Sequence, residues 1–100
     1  VHNFLDGLRT KNLNKKQKLL LSTFINNLKN GTEIQKRRFL MYYNLIPNND
    51  ELLGYCDIGK IEHCSGSAIR TSISAIILQL VRLEEPQKSL FLTIMNKIYM

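Results

Sequence analysis

The chain has no tryptophan, and its cysteines, histidines and prolines come in pairs only. Two prolines and five glycines in 100 residues are too few for a loop-rich or low-complexity protein. The cysteines, Cys56 and Cys64, form no CxxC, and the nearest histidine, His63, adjoins Cys64. Together with the remote His2 these residues match no standard zinc spacing, so no metal is expected and the thiols read as reduced and partly buried. Reduced thiols, the absence of a visible secretory signal and the absence of an apolar run of about 18–20 residues place the chain in the cytoplasm, with no membrane partner. No glycine-rich phosphate loop and no pair of spaced carboxylates occurs. Cys64 and His63 are neighbours on a turn, where adjacent side chains diverge. No catalytic residue and no cofactor is therefore expected, and the protein does not read as an enzyme.

What is present suits a small folded domain. Hydrophobic residues make up 44% and charged residues 22%, enough to close one core without disulfides or metal. The strict alternation of strands is scarce, and three- and four-residue apolar spacing recurs almost throughout. The expected class is all-α, a compact bundle of about five helices. The chain opens on Val1 rather than Met, which leaves open whether it is whole or a piece of something longer.

Residues 1–13 read as a lead-in, in which Phe4, Leu5 and Leu8 form one helical turn and Gly7 limits anything longer. Residues 15–29 form the first full helix, capped by Asn14, with Leu20, Leu21, Phe24, Ile25 and Leu28 as its buried stripe. Lys15, Lys16 and Lys18 fall in its first turn, where cations oppose the helix dipole; solvation and phosphate contact are equal readings. Asn30-Gly31 ends that helix, and Thr32 with Gln35 supplies a capping box for the next. This second helix is expected to run to about Leu45, with Ile34, Leu40, Met41 and Leu45 inward, Tyr42 or Tyr43 at its shoulder, and Lys36, Arg37 and Arg38 as a basic cluster on the other side. Pro47 is expected to stop it, and Asp50 to cap a short helical piece or lie in a continuing loop.

The chain is organised around residues 57–83. A short amphipathic run, DIGKIE, places Ile58 and Ile61 inward and Lys60 and Glu62 outward, while Gly59 permits close helix approach. His63-Cys64 forms a turn, and Ser65 caps a longer helix buried through Ile69, Ile73, Ile76, Ile77, Leu80 and Leu83. Its outward residues near the N-terminus are Gly66, Ser67, Arg70, Thr71 and Ser74, small and polar with one arginine. Short helix, tight turn and capped second helix form the helix-turn-helix pattern. Pro86 is expected at the first position of a last helix, apolar enough to pack on the core or to form a dimer interface through residues 86–100.

Net charge is +6, which suits a polyanion partner, but it is unevenly placed. Residues 1–38 carry nine Lys/Arg against two carboxylates, a net of +7, and residues 39–100 carry five against six, a net of −1. The electrostatic pull is thus expected from Lys15–Lys18 and Lys36–Arg38, in the helices before the helix-turn-helix.

Residues 36–83 resemble the C-terminal domain, region 4, of bacterial sigma-70 family RNA polymerase sigma factors. KRRFLMYYNL is similar to that family's arginine-led helix, DIGKIEHCSGSAIR to its helix-turn-helix, and AIILQLVRL to its closing helix. The resemblance extends over residues 14–83, between the lead-in at 1–13 and an apolar helix at 84–100. It implies promoter recognition in double-stranded DNA and contact with RNA polymerase core. Carried over, Ser65 would cap the recognition helix, Ser67, Arg70 and Thr71 would face DNA, Lys60 would touch phosphate, and Arg37 and Arg38 would match the basic helix, with Lys36 beside them as a further DNA-binding candidate. The recognition helix carries one arginine where the family has several basic groups, Ile73 and Ile77 stand at positions often polar there, and no region for opening the duplex is present. The expectation is a DNA-binding transcription module, with a protein-interaction or homodimerisation domain as the alternative.

Overall fold

A computed structural model describes residues 2–47, 49 and 51–99, with no side-chain description for His2 and Asn3. The elements are α1 (His2–Leu8), α2 (Lys15–Asn26), α3 (Glu33–Tyr42), α4 (Tyr55–Glu62), α5 (Gly66–Val81) and α6 (Gln87–Tyr99). The all-α class is as expected, and the helix beyond the expected five is α1, which the lead-in reading reduced to a single turn.

Local signals set most helix starts. Asn14 accepts the Gln17 amide and Gln17 reaches back to the Asn14 amide; Thr32 and Gln35 repeat the exchange at α3. Ser65 Oγ accepts the Ala68 amide at 3.1 Å at the head of α5. Helix ends are less legible. α3 stops at Tyr42, earlier than expected, because Asn44 turns left-handed (φ 57°) and the Leu45 amide bonds back to Leu40 O at 2.9 Å. Pro47 therefore lies beyond the stop and does not cause it. α2 ends at Asn26, and Gly31, at φ +99°, lies in the turn that leads into α3. Pro86 immediately precedes α6 instead of beginning it. Asp50, the expected cap, lies outside the described residues; the loop continues to Gly54.

The core is one continuous cluster to which every helix contributes. α5 is central, packed on both α3 and α4, with Ile69, Ile73, Ile76 and Leu80 buried; Ile77 and Leu83 are only half-buried. α6 closes the far side through Phe91, Ile94 and Ile98, and Phe91 stacks on Phe24 of α2 at 5.2 Å. α1 joins it: Phe4 meets Phe91 and Tyr99 edge-on, and the Tyr99 hydroxyl donates to Phe4 O. The segments at 1–13 and 84–100 are thus core-forming, not appendages, and each buried ring contributes about 2 kcal/mol or more by area.

Three inward assignments are corrected. Ile34 is exposed in the first turn of α3, ahead of the buried residues Lys36, Phe39, Leu40 and Met41, although Met41 lies on the same helical face. Ile61 is exposed because α4 buries the Ile58–Gly59 side, and Ile61 falls beyond its edge. Leu20, at the edge of the α2 stripe, is also exposed.

Candidate nucleic-acid interface

Helices α4 and α5 are joined by three residues, His63 to Ser65, and bend by 103° relative to each other. That angle is within the helix-turn-helix range. Two backbone features make so short a turn feasible. His63 adopts the left-handed conformation (φ 59°) as the C-cap of α4, and the Cys64 amide donates to Gly59 O at 2.9 Å. Gly59 faces the turn so closely that a Cβ there would sit 2.6 Å from Cys64 O. Only a residue without a side chain fits that position unless the turn shifts. The other end is tight as well: Cys56 Sγ would lie 3.3 Å from a Cβ on Gly66.

This frame aims the first two turns of α5 at solvent. Ser67, Arg70, Thr71 and Ser74 are all exposed and follow the three- and four-residue spacing of one helical face. The Thr71 hydroxyl donates to Ser67 O at 3.0 Å. Lys60, on α4, is exposed beside a shallow hollow lined by Cys56, Gly59, His63, Cys64 and Gly66. Ser67, Arg70 and Thr71 thus share one exposed face below the Ser65 cap, and Lys60 borders a hollow that reaches Gly66 at the head of that helix. Beyond Ser74 the same outward face becomes apolar, at Leu78 and Val81.

The basic cluster on α3 is placed differently from the expectation. Lys36 is buried, and its ammonium donates to Leu28 O at 2.7 Å and Asn26 O at 3.3 Å. It caps the C-terminal end of α2, where carbonyls lack helical partners and the dipole favours a cation. Arg37 and Arg38 both bond Glu62 Oε1, the last residue of α4, at 2.7 and 3.1 Å. Arg38 also donates to Ser72 of α5 at 2.9 Å, so a single guanidinium ties α3 to both helices of the central pair. Hydrogen bonds from Arg37, opposed by burial and joined by those from Arg38, hold the Glu62 carboxyl below the usual carboxylate range. Lys18 is buried too, donating to Asn49 O at 2.8 Å, whereas Lys15 and Lys16 are exposed at the start of α2.

A feature with no sequence signal lies at the head of α4. The Tyr42 and Tyr55 rings stack in parallel, 4.4 Å apart, and the Arg9 guanidinium covers the other side of Tyr42 at 4.5 Å. Arg9 Nη2 donates to Leu53 O at 2.7 Å, while its Nε is buried without an acceptor. The stack is rooted in the core through Tyr43 and Phe39. A hydrogen bond with Tyr42, then burial, holds the Tyr55 phenol above its ordinary range; Arg70 and Arg9 are close enough to pull it the other way. Arg9, Tyr42 and Tyr55 are distant in sequence, and only the fold joins them.

Cys56 is exposed and Cys64 half-buried, both as free thiols. Among the described residues no group of three His, Cys, Asp or Glu could hold a metal ion, and no single helix is long and apolar enough to cross a membrane. Comparison with protein-family models, curated proteins and solved structures returned no match.

Proposed function

We propose that the chain is a helix-turn-helix module that binds double-stranded DNA, with the N-terminal half of α5 in the major groove, in the manner of the sigma region 4 domains it resembles. The observation that supports this is the 103° pair α4–α5, whose tight turn presents Ser67, Arg70, Thr71 and Ser74 on one exposed face. A groove-entering helix reads base edges with its first residues while the helix before it crosses the backbone. Arg70 suits a guanine edge, and the hydroxyls suit bases or phosphate. Lys60, on the preceding helix, is placed for phosphate. Such a module works in transcription, in the bacterial cytoplasm.

The test is fluorescence anisotropy with a labelled mixed-sequence duplex of about 30 base pairs, some three helical turns, from low to physiological salt. The wild-type chain binds at low salt and weakens steeply as salt rises. Lys60→Ala with Arg70→Ala lowers affinity and makes the slope of log K against log salt shallower by about 0.9 for each phosphate contact removed. No binding at low salt, or a double variant indistinguishable from wild type, overturns the reading.

The second reading, a protein-contact domain, draws on the apolar continuation of the α5 face at Leu78 and Val81. RNA polymerase core is the partner that the resemblance implies. Homodimerisation through residues 86–100 has less to draw on, because Phe91, Ile94 and Ile98 are used in the core. The exposed Leu90 and Leu92 lie on opposite flanks of that buried stripe and form no single patch.

A further inference from the structure

We infer that the stack of Arg9, Tyr42 and Tyr55, beside the head of α5, is a phosphate-contacting shoulder of the DNA surface, over which the backbone strand beside the α5 groove passes. The inference rests on the proposed DNA reading and changes where that reading finds its electrostatic affinity. Of the expected sources, Lys36 with Arg37 and Arg38 is engaged with helix-end carbonyls and Glu62, and Lys18 with Asn49 O, which leaves Lys15 and Lys16 exposed at the start of α2. On the central pair itself, Lys60 and Arg70 are few for a polyanion partner.

The position of the stack is what suits it to phosphate. Tyr55 is the first residue of α4, and its Cβ would lie 3.6 Å from a Cβ on Gly66, the first residue of α5. It therefore lies against the head of the reading helix, on the side where the preceding helix crosses the DNA backbone. Arg9 lies at most the sum of the two stacking distances, about 9 Å, from the Tyr55 ring centre. The major groove is about 12 Å wide between its two phosphate rims. With the head of α5 in the groove, Tyr55 sits against that head, and the stack that continues from it through Tyr42 to Arg9 is where the rim of the groove would pass.

The chemistry of the stack agrees. Tyrosine hydroxyls and arginine are phosphate-contacting groups. The Arg9 guanidinium donates to Leu53 O through Nη2, and its Nε is buried without an acceptor, so a phosphate contact would fall to the remaining Nη hydrogens. Stacking on a half-buried ring rooted in the core fixes the guanidinium before any partner arrives, which lowers the entropy lost on contact.

The experiment uses the full chain and the same mixed-sequence duplex, comparing wild type, Arg9→Gln, Arg9→Lys, Tyr55→Phe and Arg37→Gln, each first checked for a helical circular-dichroism spectrum and a cooperative melt. Arg9→Gln should flatten the salt slope by about 0.9, so that a fourfold rise in salt weakens it about 3.5-fold less than wild type. Arg9→Lys, which keeps the charge, should keep the slope, and Tyr55→Phe should lose affinity at unchanged slope. Arg37→Gln should leave the slope as it is. Two results overturn the shoulder while leaving the DNA reading standing: wild-type binding with an Arg9→Gln slope equal to wild type, or a slope equally reduced in Arg9→Lys. Absence of wild-type binding overturns both together. If Arg9→Gln fails to fold, a slope reduced in Arg9→Lys, or a Tyr55→Phe affinity equal to wild type, overturns the shoulder in its place.

Discussion

Two basic regions of this molecule invite the same description and behave differently. On α3, Lys36, Arg37 and Arg38 are consecutive, the densest positive run in the chain. On the central pair, Lys60 and Arg70 are ten residues apart and carry little charge. Yet Lys36 is buried under the end of α2, Arg38 is held between Glu62 and Ser72, and Arg37 shares that same carboxylate, while Lys60 and Arg70 are exposed. Charge density along a sequence is not charge available to a partner. What decides is whether carbonyls or carboxylates of the same chain reach the cations first. The α3 run acts on architecture, fixing where α2 ends and how α4 is held, whereas the sparse pair stays open to an outside ligand.

The largest expected effect tests the frame that separates the two regions. Gly59→Ala puts a Cβ about where Cys64 O now sits, 2.6 Å away, and that neighbour is backbone. Overpacking against an unyielding neighbour costs about 3 kcal/mol, or a drop of about 15 °C in Tm for a domain this size. Thermal denaturation followed by circular dichroism measures it. A Tm near wild type would show that α4 and α5 are less tightly joined than the geometry requires, and the exposed face of α5 would lose its fixed aim.

Lys36→Met comes next. Methionine replaces the aliphatic stem but leaves Leu28 O without its buried donor, a loss of about 2 kcal/mol. Urea denaturation should show a lower midpoint at unchanged m-value. DNA binding by the folded variant should keep the wild-type salt slope, because a buried ammonium makes no phosphate contact. A flatter slope would return Lys36 to the interface and erase the contrast between the regions.

Much of the frame is legible in the residues, and much of the site is not, for a common reason. Caps are local: Asn14 with Gln17, Thr32 with Gln35, and Ser65 each act within three residues, and each is where the sequence places it. The helix-turn-helix is nearly local, being one glycine and one turn. Helix ends are less legible where a left-handed residue other than glycine, Asn44, makes the stop. Ile34 and Ile61 are apolar yet exposed, because the packing of other helices, and not the apolar spacing within α3 or α4, decides which residues are covered. The partners of Lys36, Arg37 and Arg38 are eight to 34 residues away, and Arg9 meets Leu53 across 44. Nothing in a run of basic residues says whether a carboxylate will fold back onto it.

Glu62 offers the most direct way to convert one region into the other. Its carboxyl lies below the usual range because of Arg37 and Arg38. The fork's contribution to stability is therefore complete above the unfolded glutamate value of about 4.3 and is lost as pH falls through the lower folded value. Glu62→Gln should remove that part of the acid dependence, seen as a flatter stability–pH curve below about pH 4.3 in urea titrations. The stability lost at neutral pH should be modest: Arg37 is half exposed, and the glutamine oxygen can still accept from the more buried Arg38. Its larger consequence concerns charge: with the carboxylate gone, Arg37 is left at the surface without a counter-ion and α3 gains an available cation. DNA binding at low salt should then tighten, with a salt slope steeper by up to about 0.9. An unchanged slope in Glu62→Gln would mean that α3 faces away from the DNA altogether, so that its arginines stay structural even when released.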